Sequence, residues 1–541
     1  MHITLQDDRG YEAVSYTWGE QNPGNNYTIL LNDLPLVVTR NLKIALYHLR
    51  YEDVGRFLWI DALCINQLDT KEKASQVQKM GDIYRRALKV LVWLGQAEDY
   101  SDLAMDLVAN MGHIDLGNIP EVIEDRDTRK AWDALFQLFR RPWWTRSWVL
   151  QEIAVARSDP LVGCGHRWLS WSYFELAHNL MMRSLSTRVL QTPPHTFTIL
   201  CTIRDYQKEM HPARRIGPLL QETIAFEATK PVDKVFALLG LADEDDRLAI
   251  ELDYSISVQQ VYTQVAKYLL RNNINTLCFN VNSHSYNLPS WVPDWSRFSQ
   301  RWPLWMPMTY KASAKCHADV RYANDPCVLK VAGILVDRIS DFDAVSCIEI
   351  AQSPMLDSPR QEVLDNIEFT LHESIMKHPS SGLDSLDPSK SDALWRTLVT
   401  NRCLFGRAHT HGPKSPAPMD FGKRYEVFRD RLRVPKSFKP ELLYPQRKQE
   451  YVKPLVESLQ LGDQRFFITQ GHRIGVGPHE LQLDDMVVII LGADMPFIIR
   501  SRGTHHQLIG PTYVHGIMNG EYLASKTKAE MRKITTKFTL K

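Results

Sequence analysis

Apolar positions in the first hundred residues alternate between two patterns. YEAVSYTW (11–18), FLWID (57–61) and KVLVWL (89–94) are short apolar runs bounded by polar residues or glycine, the form of buried strands. Between the first two, Leu42, Ala45, Leu46 and Leu49 recur at helix spacing. Between the second and third, Ala74, Val77, Met80, Tyr84 and Ala87 do the same, behind Asp69 and Glu72 spaced as a capping box. Strand, helix, strand units of this length imply parallel strands joined by crossovers, so the pattern predicts an α/β sheet. YTILLNDLPLVV (27–38) interrupts it, and Asn32-Asp33 with Pro35 between two apolar runs predicts a hairpin inserted after the first strand.

Farther on, Trp132, Leu135, Phe136 and Phe139 share a helix face, followed by RPWWTRSWVLQEIAVA (141–156) and a short strand, PLVGCG (160–165). The α/β unit is thus expected to span 1–170. Residues 171–300 read as mainly helical, most clearly in AFEATKPVDKVFALLGLA (225–242) and VQQVYTQVAKYLLR (258–271), with LPSWVPDW (288–295) as a rigid connector. From 301 to 525 the pattern turns to strands: VLKVAGILVDRI (328–339), RFFIT (465–469), DMVVIILG (485–492), PFIIR (496–500) and TYVHGIM (512–518). They predict a small β-barrel or meander, interrupted near 376–450 by a polar Ser/Pro-rich stretch with some helix. GHRIGVGPHEL (471–481) contains Gly-x-Gly but lies between β runs and opens no helix, so it reads as a β-turn. The closing SKTKAEMRKITTKFTLK carries six Lys/Arg and one Glu, and 526–541 reads as a frayed, solvated basic tail.

The chain has 541 residues with 64 Lys+Arg against 63 Asp+Glu, a formal balance of +1. That balance sets up no long-range field toward nucleic acid or an anionic membrane, and neither is expected as a partner. The eight cysteines contain no Cys-x-x-Cys pair, so no zinc site or disulfide framework is indicated and the thiols are read as reduced. The N-terminus has no apolar signal core, and the longest apolar stretches, such as MVVIILGA (486–493), fall far short of a membrane span. The expected location is cytoplasmic. P-loop, Gly-x-Ser-x-Gly and His-Glu-x-x-His signatures are absent. Nine of the 14 Trp lie at or before Trp171, which sets the N-terminal third apart.

The segment with most chemical content is Arg146-Ser-Trp-Val-Leu-Gln-Glu152-Ile. On a helix over 145–156, Val149, Leu150, Ile153, Ala154 and Ala156 fill one arc and form a core face, while Trp148, Gln151, Glu152 and Val155 share the other. The second arc is either a solvated face or the wall of a cleft or interface. Asp61 ends the strand FLWID, and in open α/β sheets ligands bind beyond the carboxyl ends of strands; it is equally a helix cap or turn residue. Tyr16, Thr17, Trp18 and Gly19 end the first strand at the same edge, with packing as the alternative role. Ser15, Cys64 and the 18 His form no triad that sequence can assemble.

YEAVSYTWGE, LWIDALCINQLDTKEKASQVQKMGDIYRRALKVLVWLG and RPWWTRSWVLQEI together resemble the heterokaryon incompatibility (HET) domain family of filamentous fungi. PVDKVFALLGLA, LPSWVPDWS, LWRTLV (394–399), RFFIT with IGVGP, and IGPTYVHGIMNGE (509–521) are similar to the region downstream in long HET proteins, so nearly the whole chain is covered. The chain begins about ten residues before YEAVSYTWG, so an N-terminal strand or extension is expected to be missing. The resemblance implies self/non-self recognition and regulated cell death, and a TIR-like (flavodoxin-like) parallel-sheet domain followed by a helical region and a β-rich C-terminal domain.

TIR domains carry a Trp-Cys-x-x-Glu-Leu motif whose Glu serves NAD cleavage, and Trp148-Val-Leu-Gln-Glu152-Ile is similar, with Val149 in place of the Cys. The hairpin and the 96–140 segment are additions. By this likeness Glu152 is the catalytic carboxylate, and Ser15, Tyr16, Trp18, Gly19, Asp61, Arg146 and Trp148 form the substrate edge. Tyr16 and Trp18 would stack on a ring, and Arg146 would pair with phosphate or with Glu152. NAD enters as substrate, with no bound cofactor and no metal. The alternative is a non-catalytic death-signalling module acting by self-association, a homo-oligomer on activation, and a third reading is a structural scaffold. Glu152, Trp148, Asp61 and the SYTWG edge are expected to converge.

Overall fold

The computed structural model describes residues 10–19, 26–111, 126–184, 194–209, 214–279, 285–297, 310–342, 395–397, 399–400, 416–417, 419–432 and 464–541. The nine N-terminal residues, most of the 376–450 stretch and part of the 96–140 segment lie outside the described residues. The chain divides into two compact units, one of Met1–Val258 with Trp295–Phe298 and one of Gln259–Asp294 with Ser299–Lys541.

Among the described residues, the sheet of the first unit consists of β1 (Glu12–Tyr16), β4 (Leu58–Trp59), β5 (Lys89–Trp93), β6 (Leu161–Cys164) and β7 (Arg167–Ser170). Their order is β4-β1-β5-β6-β7. β1 runs parallel to both β4 and β5, β5 parallel to β6, and only β7 is antiparallel. The three apolar runs therefore lie side by side in one parallel sheet, as their spacing predicts. Ranked by chain position, the parallel strands run 2-1-3-4, the doubly wound order in which the first strand is central.

The two faces of β1 are divided by the strand period. Val14 and Tyr16 pack with Leu42, Ala45 and Leu49 of the helix Arg40–Leu49, together with Leu91 and Trp93 of β5. Ser15 points the other way, toward Trp143. The helix Thr70–Arg86 is capped by Asp69, whose carboxylate accepts from the Lys71 and Glu72 amides at 2.9 and 3.0 Å. Glu72 does not complete a capping box, since its carboxylate accepts from Asn66 N instead.

The inserted hairpin is present as β2 (Asn26–Leu31) and β3 (Leu34–Thr39), a two-stranded sheet of its own. Asn32 and Asp33 turn it at φ 50° and 62°, the left-handed pair that suits the twist of a two-residue hairpin. Several tryptophans of the N-terminal third build one packed aromatic cluster. Trp144 lies 4.9 to 5.9 Å, ring to ring, from Phe139, Trp143, Trp171, Phe174 and Phe197, and Trp93, Trp143, Trp144 and Trp171 are fully buried. In PVDKVFALLGLA only Asp233–Phe236 is α-helical, and tight turns around it replace the long helix expected there.

Among the described residues of the second unit, a nine-stranded sheet closes part of itself into a barrel. Its strands are β8 (Val320–Tyr322), β9 (Leu329–Phe342), β10 (Gln464–Thr469), β11 (Ile474–Pro478), β12 (Met486–Ile490), β13 (Pro496–Arg502), β14 (His505–Pro511), β15 (Tyr513–Val514) and β16 (Thr535–Leu540). β9 pairs with β12, β12 with β13, β13 with β14, β14 with β16 and β16 again with β9, so this ring has no free edge. A register shift opposite Val487 and Val488 marks the bulge that lets the long β9 bend.

Two sequence expectations fail here. The Gly-x-Gly of 475–477 lies inside β11, where a Cβ on Gly475 would come within 2.4 Å of the Phe467 ring. The glycines admit a close cross-strand approach, and the turn is at Gln470–Arg473. The basic tail is ordered: Thr527 and Glu530 form a capping box for the helix Lys528–Ile534, and the chain ends as β16 with Phe538 and Leu540 buried. Alternation of Phe538 and Leu540 with Lys537 and Thr539 is the strand signal that charge counting concealed. Among the described residues, no helix is long and apolar enough to cross a membrane.

Candidate functional site

β1 ends at Tyr16, and the chain leaves the sheet through Thr17 and Trp18 to Gly19, at φ +76°. Ser15, fully buried, is the link between this strand end and the RPWWTRSWVLQEI segment. Its hydroxyl accepts from Trp143 Nε1 at 2.8 Å and donates to Glu152 Oε2. Pro142 opens a 3₁₀ turn over Pro142–Thr145 that sets Trp143 under the strand.

The expected helix over 145–156 is broken. Arg146 is extended at φ −70° and ψ 133° because it bridges to Glu227, and the helix proper is only Val149–Ala154. All six of its residues are buried, so the Gln151 and Glu152 face is neither solvated nor an open cleft wall. Gln151 donates to the Ala237 carbonyl at 2.8 Å and lies against Gly81 and Gly240; a Cβ on Gly240 would stand 2.4 Å from Gln151 Oε1.

Glu152 is 2 % exposed, and burial pushes its carboxyl up to about 7, with Asp61 adding to the rise. The Arg146 guanidinium and the Ser15 hydroxyl act in the opposite direction. Asp61 takes the turn role expected of it. It opens the short helix Asp61–Cys64 with its Oδ1 accepting from Ala62 N at 2.7 Å, and its Oδ2 accepts from Trp18 Nε1 at 2.8 Å. Burial raises its carboxyl too, countered first by Arg146.

Tyr16 is 2 % exposed with its ring in the apolar cluster, and burial, then Asp61, pushes its phenol above its ordinary value. The ring is closed to stacking, whereas Trp18 is half-buried. Arg146 donates to the Tyr16 carbonyl and acts electrostatically on both carboxylates. Trp148 hydrogen-bonds Asp233, which also accepts from Tyr254 Oη at 2.7 Å, and Lys73 and Lys230 each stand 5.1 Å from the Tyr254 ring. Thus Ser15, Tyr16, Trp18, Asp61, Arg146 and Glu152 form one network at the end of β1. Trp148 belongs to the adjoining Asp233 cluster, and Gly19 lies exposed at the rim.

Sequence reasoning named Trp143 only as part of a motif and missed Asp233, Tyr254 and Arg204. Asp233-Lys234 inside an otherwise apolar run was the available signal, because buried charges need partners. Arg204 gave none: it is one cationic residue on an amphipathic helix, yet it is 2 % exposed and binds the carbonyls that follow Glu152. Among the described residues, no cluster of His, Cys, Asp and Glu could hold a metal ion.

A parallel sheet in doubly wound order, with a buried carboxyl wired to the end of its central strand and a separate β-barrel downstream, defines a two-part class of protein. Residues 11–152 match the heterokaryon incompatibility protein (HET) family, and residues 448–533 match the Het-6 beta-barrel domain. The chain thus carries a HET match in its first unit and a Het-6 barrel match in its second. It is 26% identical to heterokaryon incompatibility protein 6, OR allele, of Neurospora crassa, over 94% of this chain and 89% of that protein. It is also 26% identical to vegetative incompatibility protein HET-E-1 of Podospora anserina, over 27% of this chain and 9% of that protein. No solved structure matches the chain.

Proposed function

We propose that this protein acts in fungal heterokaryon incompatibility, as the names of its relatives state for them, and that its α/β unit is a TIR-like effector of regulated cell death that cleaves NAD. The observation that carries the chemistry is the Trp143–Ser15–Glu152 chain at the end of the central strand, with Arg146 and Asp61 beside it. Water replaces nicotinamide at the ribose carbon, giving ADP-ribose, nicotinamide and a proton. The oxocarbenium-like transition state is stabilised by the ionised Glu152, and no metal enters the step. The closed carboxyl is the resting form, and activation uncovers it.

The test is to incubate the purified full chain with NAD at high protein concentration and follow nicotinamide. The carboxylate must be ionised, so kcat/KM is expected to rise with pH as Glu152 loses its proton, with a midpoint below the value of about 7 that burial sets in the closed form. No release from protein shown to be assembled would remove the enzymatic reading.

A second reading, a signalling module that works by self-association, is favoured by the hairpin. Leu30, Pro35 and Val37 share its outer face by register, and Leu30 and Val37 are 72% and 63% exposed. Under this reading Leu30→Lys abolishes concentration-dependent assembly in light scattering without lowering the melting temperature. Assembly unchanged by the substitution would clear the hairpin of that role.

A further inference from the structure

We infer that the α/β unit holds a second small-molecule site, between the carboxyl ends of β1 and β5, that takes a phosphorylated nucleoside of mononucleotide size. In the strand order 2-1-3-4 these two strands flank the switch point, where connections leave toward opposite faces and a crevice opens. A cavity of about 350 Å³ lies there, lined by residues that follow both strands and by the start of the helix Arg40–Leu49. It is lined by Trp18 and Gly19 but includes neither Glu152 nor Asp61, so it adjoins the network described above and shares the Trp18 wall with it.

The walls are fixed before any ligand arrives. Asn41 donates to the Thr17 carbonyl at 2.6 Å and to its hydroxyl at 3.1 Å, and accepts from Trp93 Nε1 at 3.2 Å. Arg141 holds the loop after β5 through the Leu94 and Gln96 carbonyls at 3.1 and 2.9 Å. Both strands exit through left-handed glycines, Gly19 at φ +76° and Gly95 at +116°, so no side chain at these turns fills the crevice. Trp18 is held in place by its bond to Asp61. A site with this much preorganisation loses little on binding.

The lining chooses the ligand. Arg40, Glu98 and Asp99 line the cavity and are exposed, and the other cation of the lining, Arg141, is engaged by the Leu94 and Gln96 carbonyls. A lone phosphate would be repelled by the acidic pair, and an apolar ligand would strand both kinds of charge. A molecule with a phosphoryl group for Arg40, vicinal hydroxyls to donate to Glu98 and Asp99, and a ring to lie on Trp18 satisfies all three. The volume is at the small end of the range for ligand sites, about 300–1,000 Å³, which suits a mononucleotide and not a dinucleotide.

Calorimetry on the full chain with AMP and adenosine as probes tests this. AMP is expected to bind one to one. Arg40→Glu, an exposed change, should weaken AMP by about tenfold or more and adenosine hardly at all, while Glu98→Gln weakens both. Melting temperatures matched to wild type confirm that both variants fold. Glu152→Gln should leave AMP binding unchanged, so loss of NAD cleavage and loss of this site are read separately. Absence of AMP binding at about 1 mM, or AMP affinity indifferent to Arg40→Glu, would overturn the site.

Discussion

Glu152→Gln is expected to lower NAD turnover by roughly 10²-fold or more while making the protein more stable above neutral pH. The two effects have one cause. The folded carboxyl sits at about 7 against an ordinary 4.5, so the folded state favours the protonated form. The stability this contributes is fully present below about 4.5 and is lost as pH rises through 7, a difference of about 3 kcal/mol. Gln keeps the acceptor that Ser15 needs and never ionises, so the variant should show a flat profile where wild type declines. Urea denaturation at pH 5 and pH 8, beside the nicotinamide assay, separates the outcomes. Loss of turnover with the stability gain supports the catalytic carboxylate. A stability gain with no turnover in either protein, while wild type still kills fungal cells, leaves Glu152 as a buried structural group and favours the signalling module. A stability profile identical in both proteins would show that Glu152 is not held protonated at all.

Sequence showed the elements of this unit better than their depth. The parallel sheet was legible from YEAVSYTW, FLWID and KVLVWL, since continuous apolar runs joined by helix-period segments leave few arrangements. The hairpin was legible because Asn32-Asp33 is a local turn signal. What periodicity could not give was where a helix stops. Arg146 leaves helical geometry through a backbone bridge to Glu227, 81 residues away, and no local pattern encodes a partner at that distance. The same limit hid the burial of Gln151 and Glu152, which depends on Ser15 and Ala237 arriving from elsewhere. In the barrel, β16 was concealed by its charge, because a strand with one face buried tolerates lysine on the other. The convergence of Trp18 with Asp61 was legible for a topological reason, as parallel neighbours must end at the same edge.

Arg204→Met is expected to cost about 3–5 kcal/mol, the largest loss of stability among the changes considered, although Arg204 lies outside the network at the end of β1. Its guanidinium is 2 % exposed and donates to three backbone carbonyls: Ile153 at 2.6 Å, Ala156 at 3.1 Å and Ser158 at 3.3 Å. These are the carbonyls at and just beyond the end of the helix Val149–Ala154, which is too short to satisfy its own. Glu175 balances the charge, with its Oε1 3.5 Å from Arg204 Nε, in ion-pair range but outside hydrogen-bond geometry. Met preserves the packing volume and removes every donor, so it strands three acceptors, while Glu175 keeps Lys208 Nζ at 2.7 Å. Lys keeps the charge but lacks the planar fork, and should recover only part of the loss. Phe197, on the same helix as Arg204, belongs to the Trp144 and Trp171 cluster, so near-ultraviolet dichroism will report the transition of this unit directly. The expected drop in its midpoint is roughly 10 °C. A drop of less than about 2 °C, with the dichroism unchanged, would mean that water replaces the guanidinium at these carbonyls, and that the segment holding Glu152 is positioned from the strand side by Trp143 and Ser15 alone.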